Sequence, residues 1–315
     1  MYTNKHFKEL NINPLYKVDI REKCEFANKV AILLLDNFSE YDLDYLKIVD
    51  LLQHTEMYIS KVPQNLSPVN YSHIDETIYI SDKIEFDLSN EFLLHEIIHR
   101  IQEYRNKKNQ LTQLGICNIF ETKIQGLAIN EAAIQYIVQK LLKSEQQLVE
   151  VYDMKIPTRS KNYYPIITNL IEQLCFLLGD KMLIDRTLNS KLDFKYNAID
   201  TLGESNFFAI QANFDKILEA KDKILKHQEV QNNIKIIKDV YQETEQLIFC
   251  SYFDRLIKRI ETIGDLNLYN KKLFNYRNYI GSNEAQYFYF KYYKEKKEKL
   301  KEIEYDLQHR KLMVV

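Results

Sequence analysis

Glycine and proline are scarce in this chain, with six and five residues among 315. An average protein carries roughly 12% of the two together. Tight hairpin turns favour residues that tolerate a positive φ, above all glycine, so this composition leaves little for hairpins. The scarcity argues against a β-sandwich, a β-barrel and a collagen-like repeat. It favours a mostly helical protein.

A strong charge of one sign is also missing. The chain has 43 basic and 45 acidic residues, which gives a formal net charge of −2. Such a balance does not indicate nucleic acid or an anionic membrane as an obligatory partner. The hydrophobic content of 45% and the aromatic content of 12% exclude a disordered chain. We therefore expect a mainly α (α+β) globular protein with a substantial apolar core.

Long apolar runs and paired cysteines are absent from the sequence. The N-terminal segment carries charges throughout and lacks the 7–15-residue apolar stretch of a signal peptide. The most concentrated apolar run, residues 30–35, ends at Asp36, well short of the ~18 residues of a membrane span. The four cysteines are scattered, which is typical of a reducing compartment. These features predict a cytoplasmic protein without a membrane partner.

The spacing of apolar residues predicts the order of the elements along the chain. In sequence, we expect a helix over 23–38, a second helix capped by Ser39, strands over 57–62 and 76–80, a helix capped by Ser89 or Asn90, and a helix over 120–144. Beyond Val151 the pattern is helical throughout. The sequence thus predicts an N-terminal subdomain over 1–150 and an all-helical C-terminal subdomain over 151–315.

Residues 95–99 read His-Glu-Ile-Ile-His, an H-E-x-x-H pattern inside a predicted helix. Histidines at i and i+4 lie on one helix face about one turn apart, so both can bind one Zn²⁺. Glu96 lies beside them and can act on water at the metal without being a ligand. A pair of buried core histidines is the structural alternative, but two buried imidazoles without partners are costly. The pattern therefore predicts a zinc site at His95 and His99.

The chain resembles the gluzincins, zinc metallopeptidases in which a Glu on a following helix is the third ligand. The resemblance rests on H-E-x-x-H together with Asn130-Glu131-Ala132-Ala133, and its motif core covers about residues 57–140. It implies that Glu131 completes the ligand set with His95 and His99. Glu121, about three turns earlier on the same predicted helix, is the competing acid.

One position departs from the thermolysin pattern within this family. Thermolysin-like enzymes carry an Asp four residues after the Glu ligand, and its carboxylate accepts a hydrogen bond from a ligating His. This chain has Gln135 there. An amide oxygen can accept the same bond, but it does not raise imidazole basicity as a carboxylate does. The chain therefore resembles gluzincins broadly rather than thermolysin itself.

The resemblance also implies a layout for the substrate cleft. Members of this family have an edge strand just before the active-site helix, and that strand pairs with extended substrate. Residues 76–80 occupy this place in the sequence. The C-terminal subdomain is then expected to form the other wall of the cleft.

The implied reaction is hydrolysis of peptide bonds. Zinc would lower the pKa of its water and polarise the scissile carbonyl, while Glu96 takes a proton and passes it to the leaving amine. A Tyr or His usually stabilises the oxyanion, and the candidates are Tyr163, Tyr164 and His227. We expect Tyr164 to have this role. The expected partner is a peptide or protein substrate.

Two other functions remain open from the sequence. One is a single-target regulatory zinc protease of the repressor-cleaving kind, and the other is a non-catalytic helical binding protein that retains a zinc site. Residues 291–301 hold six Lys against two Glu, which is more typical of a solvated helix face than of a nucleic-acid surface. The isolated His54, His73 and His309 are interpreted as ordinary polar positions.

Overall fold

The computed structural model describes residues 11–120, 123–191, 193–279 and 283–312. It is 62% helical with a small mixed sheet, which confirms the predicted α+β class. The chain divides into two compact units. The first runs to Glu145 and also includes Asn162–Tyr164 and Lys181–Asp193, and the second comprises Gln146–Lys161, Pro165–Asp180 and the chain from Phe194 onward. The role of residues 151–315 as a cleft wall stays a prediction.

Helices dominate the described ranges. In chain order they are α1 (Ile20–Asn37), α2 (Tyr45–His54), α3 (Glu91–Ile101), α4 (Leu127–Leu141), α5 (Pro165–Leu178), α6 (Lys181–Leu188), α7 (Asp193–Leu202), α8 (Glu204–Leu225), α9 (Val230–Leu256), α10 (Ile263–Tyr279) and α11 (Asn283–Leu312). Among them, no helix has both the length and the apolar character needed to cross a membrane.

The strands are short and fall mostly in the first half of the chain. They are β1 (Asn13–Lys17), β2 (Glu56–Lys61), β3 (Val69–Ser72), β4 (Thr77–Ser81), β5 (Glu103–Arg105), β6 (Leu111–Leu114), β7 (Asn118–Phe120), β8 (Lys123–Gln125), β9 (Gln147–Val151) and β10 (Met154–Thr158). β2 and β4 confirm the two strands predicted from the sequence.

A four-stranded sheet with the order β1-β2-β4-β3 stands next to the H-E-x-x-H helix. β2 and β4 pair in parallel, and the other two pairs are antiparallel. β4 therefore has a hydrogen-bonded neighbour on each side, so the prediction that residues 76–80 form the edge strand is wrong. The edge beside the helix is β3, which lies between the two predicted strands and was not itself predicted. Its four residues stand among Pro, Asn and Ser, which are typical of loops.

Three two-stranded hairpins form with little use of glycine. They pair β5 with β6, β7 with β8 and β9 with β10. The turn of the β9–β10 hairpin is made by Tyr152 and Asp153 with φ of 50° and 58°, and Asn109 has φ of 57° between β5 and β6. Asn and Asp tolerate this left-handed conformation better than most residues. Hairpins therefore form in this chain although glycine is scarce.

The first-unit helices begin where local capping groups allow. Asn90 caps α3, and its side chain accepts hydrogen bonds from the backbone amides of Phe92 and Leu93 at 3.1 Å each. Asp44, rather than the predicted Ser39, caps α2. α4 begins at Leu127, after Gly126 with φ of 80°, instead of at residue 120. β8 (Lys123–Gln125) precedes this helix, and the competing acid Glu121 lies outside the described residues.

The prediction of helix throughout beyond Val151 is wrong for β10 (Met154–Thr158), which contains Pro157 and pairs with β9 in a hairpin. From Pro165 onward the described elements are helices, as predicted.

A polar network lies inside the second unit. Buried Glu245 accepts hydrogen bonds from the amide of Gln173 and the hydroxyl of Tyr241, both at 2.8 Å. Each of these bonds satisfies a group that would be costly to bury alone.

Glu172 on α5 is a second buried carboxyl of this unit, with fewer hydrogen bonds than Glu245. Its Oε1 accepts a hydrogen bond from the backbone amide of Arg159 at 3.2 Å. Its Oε2 has no hydrogen-bond partner among the described residues. Burial raises the pKa of Glu172 to about 7, against the opposing effect of Arg159. The folded state therefore favours the protonated carboxyl.

We expect Glu172→Gln to change how stability depends on pH. Between about pH 4.5 and 7 the folded chain holds this proton more tightly than the unfolded chain, so this carboxyl lowers the free energy of unfolding as pH rises. Denaturant titrations at pH 5 and pH 8 should show the variant gaining stability relative to the wild type at the higher pH. The exposed Glu302→Gln is the control. An equal difference at both pH values would contradict the prediction.

Candidate metal centre

Three side chains predicted as ligands come together in the first unit. Nε2 of His95 lies 3.1 Å from Oε2 of Glu131, and Nε2 of His99 lies 3.2 Å from Oε1 of the same carboxylate. The two Nε2 atoms are 3.1 Å apart. Among the described residues, no other group of His, Cys, Asp and Glu side chains converges in this way. The arrangement is a candidate site for one metal ion.

Two helices produce this convergence. His95 and His99 lie one turn apart on α3, and Glu131 lies in the second turn of α4, which packs against α3. Ala128 and Ala132 flank Glu131 and are fully buried. Small side chains at such positions let a helix pack closely against its neighbours. Local sequence thus fixes the histidine pair, and helix packing adds the carboxylate.

The donor set fits a metal ion with an open position. His95, His99 and Glu131 are 0%, 5% and 9% exposed, so these polar groups are almost out of water. Two imidazole nitrogens and one carboxylate oxygen are the three ligands found in many catalytic zinc sites. Placing one cation among them would satisfy all three groups at once. These three side chains are therefore chemically suited to hold one divalent metal ion.

Charge in the cluster keeps Glu131 ready to bind a cation. Burial raises the pKa of its carboxyl, but the neighbouring imidazoles of His99 and His95 outweigh burial and hold the pKa below its usual value. The carboxylate is therefore ionised at neutral pH. An ionised carboxylate is the form that ligates a metal.

Glu96 lies next to the ligands but is held by a different partner. Its Oε2 accepts a hydrogen bond from the backbone amide of Tyr71 at 3.1 Å, and Tyr71 belongs to the edge strand β3. Burial raises the pKa of Glu96 to about 7; Glu131 adds to the rise, while His99 and the Tyr71 amide oppose it. Glu96 is thus held beside the three ligand side chains, and its carboxyl can gain and lose a proton.

Carboxamides hold both ligand imidazoles. Nδ1 of His95 donates a hydrogen bond to Oε1 of Gln135 at 3.0 Å. The amide nitrogen of Gln102 lies 3.1 Å from Nδ1 of His99. The oxygen of Gln135 takes the Nδ1 proton of His95 and leaves Nε2 of that ring for the metal. At His99 the amide of Gln102 would have to turn its oxygen toward Nδ1 to do the same. The sequence pointed to Gln135 but not to Gln102, whose only signal is its place three residues after His99.

Gly115 makes room for two of the supporting amides. Its φ is +50°, and a Cβ there would lie 2.2 Å from both Oε1 of Gln102 and Oδ1 of Asn130. Asn130 Oδ1 accepts a hydrogen bond from the backbone amide of Ile116 at 3.1 Å. Because both amides are already engaged, a side chain at this position would displace them. Gly115 therefore supports the site indirectly, and sequence reasoning missed it.

Two of the three candidate oxyanion donors lie beside His95. The ring centroids of Tyr163 and Tyr164 are 4.7 Å and 5.8 Å from the His95 ring. Their hydroxyls hydrogen-bond each other, and burial raises the pKa of both well above the usual value. Both hydroxyls are therefore protonated donors at neutral pH. His227 lies exposed in the second unit.

His73 has a more specific environment than its interpretation as an ordinary polar position suggests. Its Nδ1 is hydrogen-bonded to the buried carboxylate of Glu103, which also accepts bonds from Tyr71 and Arg100. The His73 ring lies edge-on to the His99 ring at a centroid distance of 5.9 Å. Thirty residues separate His73 from Glu103, so no local pattern reveals the pair. By contrast, His54 and His309 are exposed on helices.

Comparison with protein-family models, with curated proteins and with solved structures finds no match to this chain. The metal centre is therefore assigned from the geometry of its own residues. The likeness to gluzincins stays a prediction that rests on H-E-x-x-H and Glu131.

We expect one divalent metal ion per chain, lost when a ligand is removed. His95→Ala and Glu131→Ala each delete one donor from a set of three, so elemental analysis after dialysis should give far less than one ion per chain. His54→Ala, an exposed histidine, should keep the full amount, and circular dichroism should confirm that all variants fold. Full metal content in either ligand variant would refute the assignment of that residue.

Proposed function

We propose that this protein is a zinc-dependent metallopeptidase of the gluzincin type. The observation that carries the proposal is the placement of an ionisable carboxyl, Glu96, beside the buried cluster of His95, His99 and Glu131. A site that only stored or sensed metal has no need of a fourth, non-ligating acid held at this point. The donor set of two imidazoles and one carboxylate favours zinc among the divalent ions.

Zinc bound here would supply a Lewis acid that polarises the scissile carbonyl and lowers the pKa of the attacking water. Glu96 accepts the proton of that water and returns it to the leaving amine. The backbone amide of Tyr71 orients Glu96 for both steps through its bond to Oε2.

The peptide as the substrate rests on the resemblance to gluzincins. An extended peptide can add to a sheet edge through main-chain hydrogen bonds. β3 pairs with β4 on one side only and contacts α3. Val69, Tyr71 and Ser72 of this strand are buried, and the amide of Tyr71 donates to Glu96. A peptide that paired with β3 at this point would have to take that amide from Glu96.

Tyr164, with Tyr163 beside it, is the proposed donor to the oxyanion. A protonated phenol aimed at developing negative charge lowers the barrier to acyl transfer. The raised pKa of both hydroxyls keeps that proton in place. The proximity of both rings to His95 brings the pair to the metal side of the site.

Glu96→Gln should separate metal binding from catalysis. The amide cannot take the proton of water, so we expect a loss of about 10²- to 10⁴-fold in kcat on a casein or peptide-library substrate. Zinc content should stay at one ion per chain, because Glu96 is not a ligand. Exposed Glu85→Gln is the matched control. Full activity in the Glu96 variant would refute the mechanism.

The peptide library also distinguishes the alternatives. Zinc binding without hydrolysis of any library peptide or any added protein would refute the peptidase and favour a non-catalytic binding protein. Cleavage restricted to one protein would favour the single-target regulatory protease.

Tyr164→Phe should lower kcat by about 100-fold while zinc content and KM change little, since the hydroxyl acts on charge that develops in the transition state. Steady-state kinetics on one fluorogenic peptide would measure this change. Tyr104→Phe, at a residue that is 61% exposed, is the control. A loss confined to Tyr163→Phe would instead assign the donor to Tyr163.

A further inference from the structure

Glu91, in the first turn of α3, binds three side-chain amides at once. Its Oε2 accepts hydrogen bonds from Nε2 of Gln135 at 3.1 Å and from Nε2 of Gln139 at 3.0 Å. Its Oε1 accepts one from Nδ2 of Asn162 at 2.7 Å. All four residues belong to the first unit. A carboxylate with three amide donors is a fixed anchor rather than a solvated surface charge.

Gln135 links this carboxylate to a metal ligand. Its Nε2 donates to Glu91, and its Oε1 accepts from Nδ1 of His95 at 3.0 Å. The side chain of Gln135 is completely buried, so it has little freedom to turn. The three groups form one chain of hydrogen bonds that runs from carboxylate through carboxamide to imidazole.

The direction of this chain is set at its carboxylate end. An ionised carboxylate only accepts hydrogen bonds, so Gln135 must present its NH₂ to Glu91. Its oxygen then faces His95, and Nδ1 of His95 must carry the proton. The lone pair is left on Nε2, the atom that lies 3.1 Å from Glu131. This is the tautomer of His95 that can bind a metal through Nε2.

The second ligand offers a contrast within the same site. The amide nitrogen of Gln102 faces Nδ1 of His99, and its Oε1 has no hydrogen-bond partner among the described residues. Among the described residues, Gln102 has no hydrogen bond to an acid that would fix the direction of its bond to His99. The His95 side of the site differs, because Glu91 orients Gln135 there.

We propose that Glu91 is a positioning residue of the metal site, which orients Gln135 and so fixes the tautomer of His95. The inference rests on the metal centre that the proposed peptidase uses. Glu91 supplies, one residue further out, the negative charge that Gln135 lacks. Polarisation passes along the hydrogen bonds, because each bond strengthens the next in a buried chain.

Replacing the carboxylate of Glu91 by an amide of the same shape is expected to disturb these hydrogen bonds. In Glu91→Gln the side chain has one acceptor oxygen and one NH₂ group for three amide donors. At least one donor then meets another NH₂, and Gln135 is free to turn its own NH₂ toward His95. That orientation favours the tautomer with its lone pair on Nδ1.

We expect Glu91→Gln to weaken zinc binding by about tenfold, the lower end of the effect usually seen when a partner of a metal-bound imidazole is lost. Competition with a chromophoric chelator, without any substrate, would measure the dissociation constant. Glu22→Gln is the matched control, since Glu22 is an exposed acid in the first turn of α1. It reproduces any loss of interaction with a helix dipole.

Exchanging the acid and the amide between positions 91 and 135 should restore zinc binding. In the double variant Glu91→Gln with Gln135→Glu, the carboxylate moves inward onto His95 and the new amide at position 91 donates to it. We expect zinc affinity to return to the wild-type value or to exceed it. A purely structural role for Glu91 predicts no such recovery.

Unchanged zinc affinity in Glu91→Gln, or failure of the swap to restore a lost affinity, would overturn this inference while leaving the peptidase proposal standing. Conversely, the expected affinities without hydrolysis of any peptide would refute the peptidase alone. Absence of zinc binding by the wild-type protein would overturn both.

Discussion

The contact of one carboxylate with two imidazoles is the constraint on which the described site depends. Glu131 meets His95 and His99 where α3 and α4 pack, at distances of 3.1–3.2 Å and almost out of water. Buried polar groups need partners, and here the partners are other ligand groups that converge on one point. Gly115 has no side chain, and this lets the amides of Gln102 and Asn130 approach its backbone. The packing around the site therefore also restricts a residue outside α3 and α4.

Neutral amides rather than acids face the Nδ1 atoms of the two ligand rings, and this limits how much charge is buried. A carboxylate at position 135 would add a further anion to a cluster that already contains Glu131 and Glu96. Burying an anion without a matched partner is costly. Glu91 avoids that cost because it is only half-buried and reaches His95 through Gln135. An acid therefore still orients the hydrogen bond to His95, while its own charge stays close to water.

Sequence reasoning succeeded where the signal is local and failed where it is not. The spacing of His95 and His99, the strands β2 and β4 and the helices α3 and α4 all follow from patterns within a few residues. The edge position of β3 depends on pairing with β4, and its four residues are too short to show alternation. The partnership of His73 with Glu103 spans thirty residues and exists only in the folded chain. Non-glycine turns such as Tyr152 and Asp153 escaped a rule based on glycine content.

The two carboxyls nearest the histidines differ in their partners, and this difference separates their roles. Glu131 faces both imidazoles, which hold its pKa below the usual value, so it stays an anion suited to a cation. Glu96 is buried with one backbone amide as its hydrogen-bond partner, and burial raises its pKa to about 7. Paired acids whose environments push their pKa values apart are typical of sites that divide charge stabilisation from proton transfer. Helix periodicity puts Glu96 beside His95, and the Tyr71 amide of β3 then gives its carboxylate a partner other than the ligand side chains.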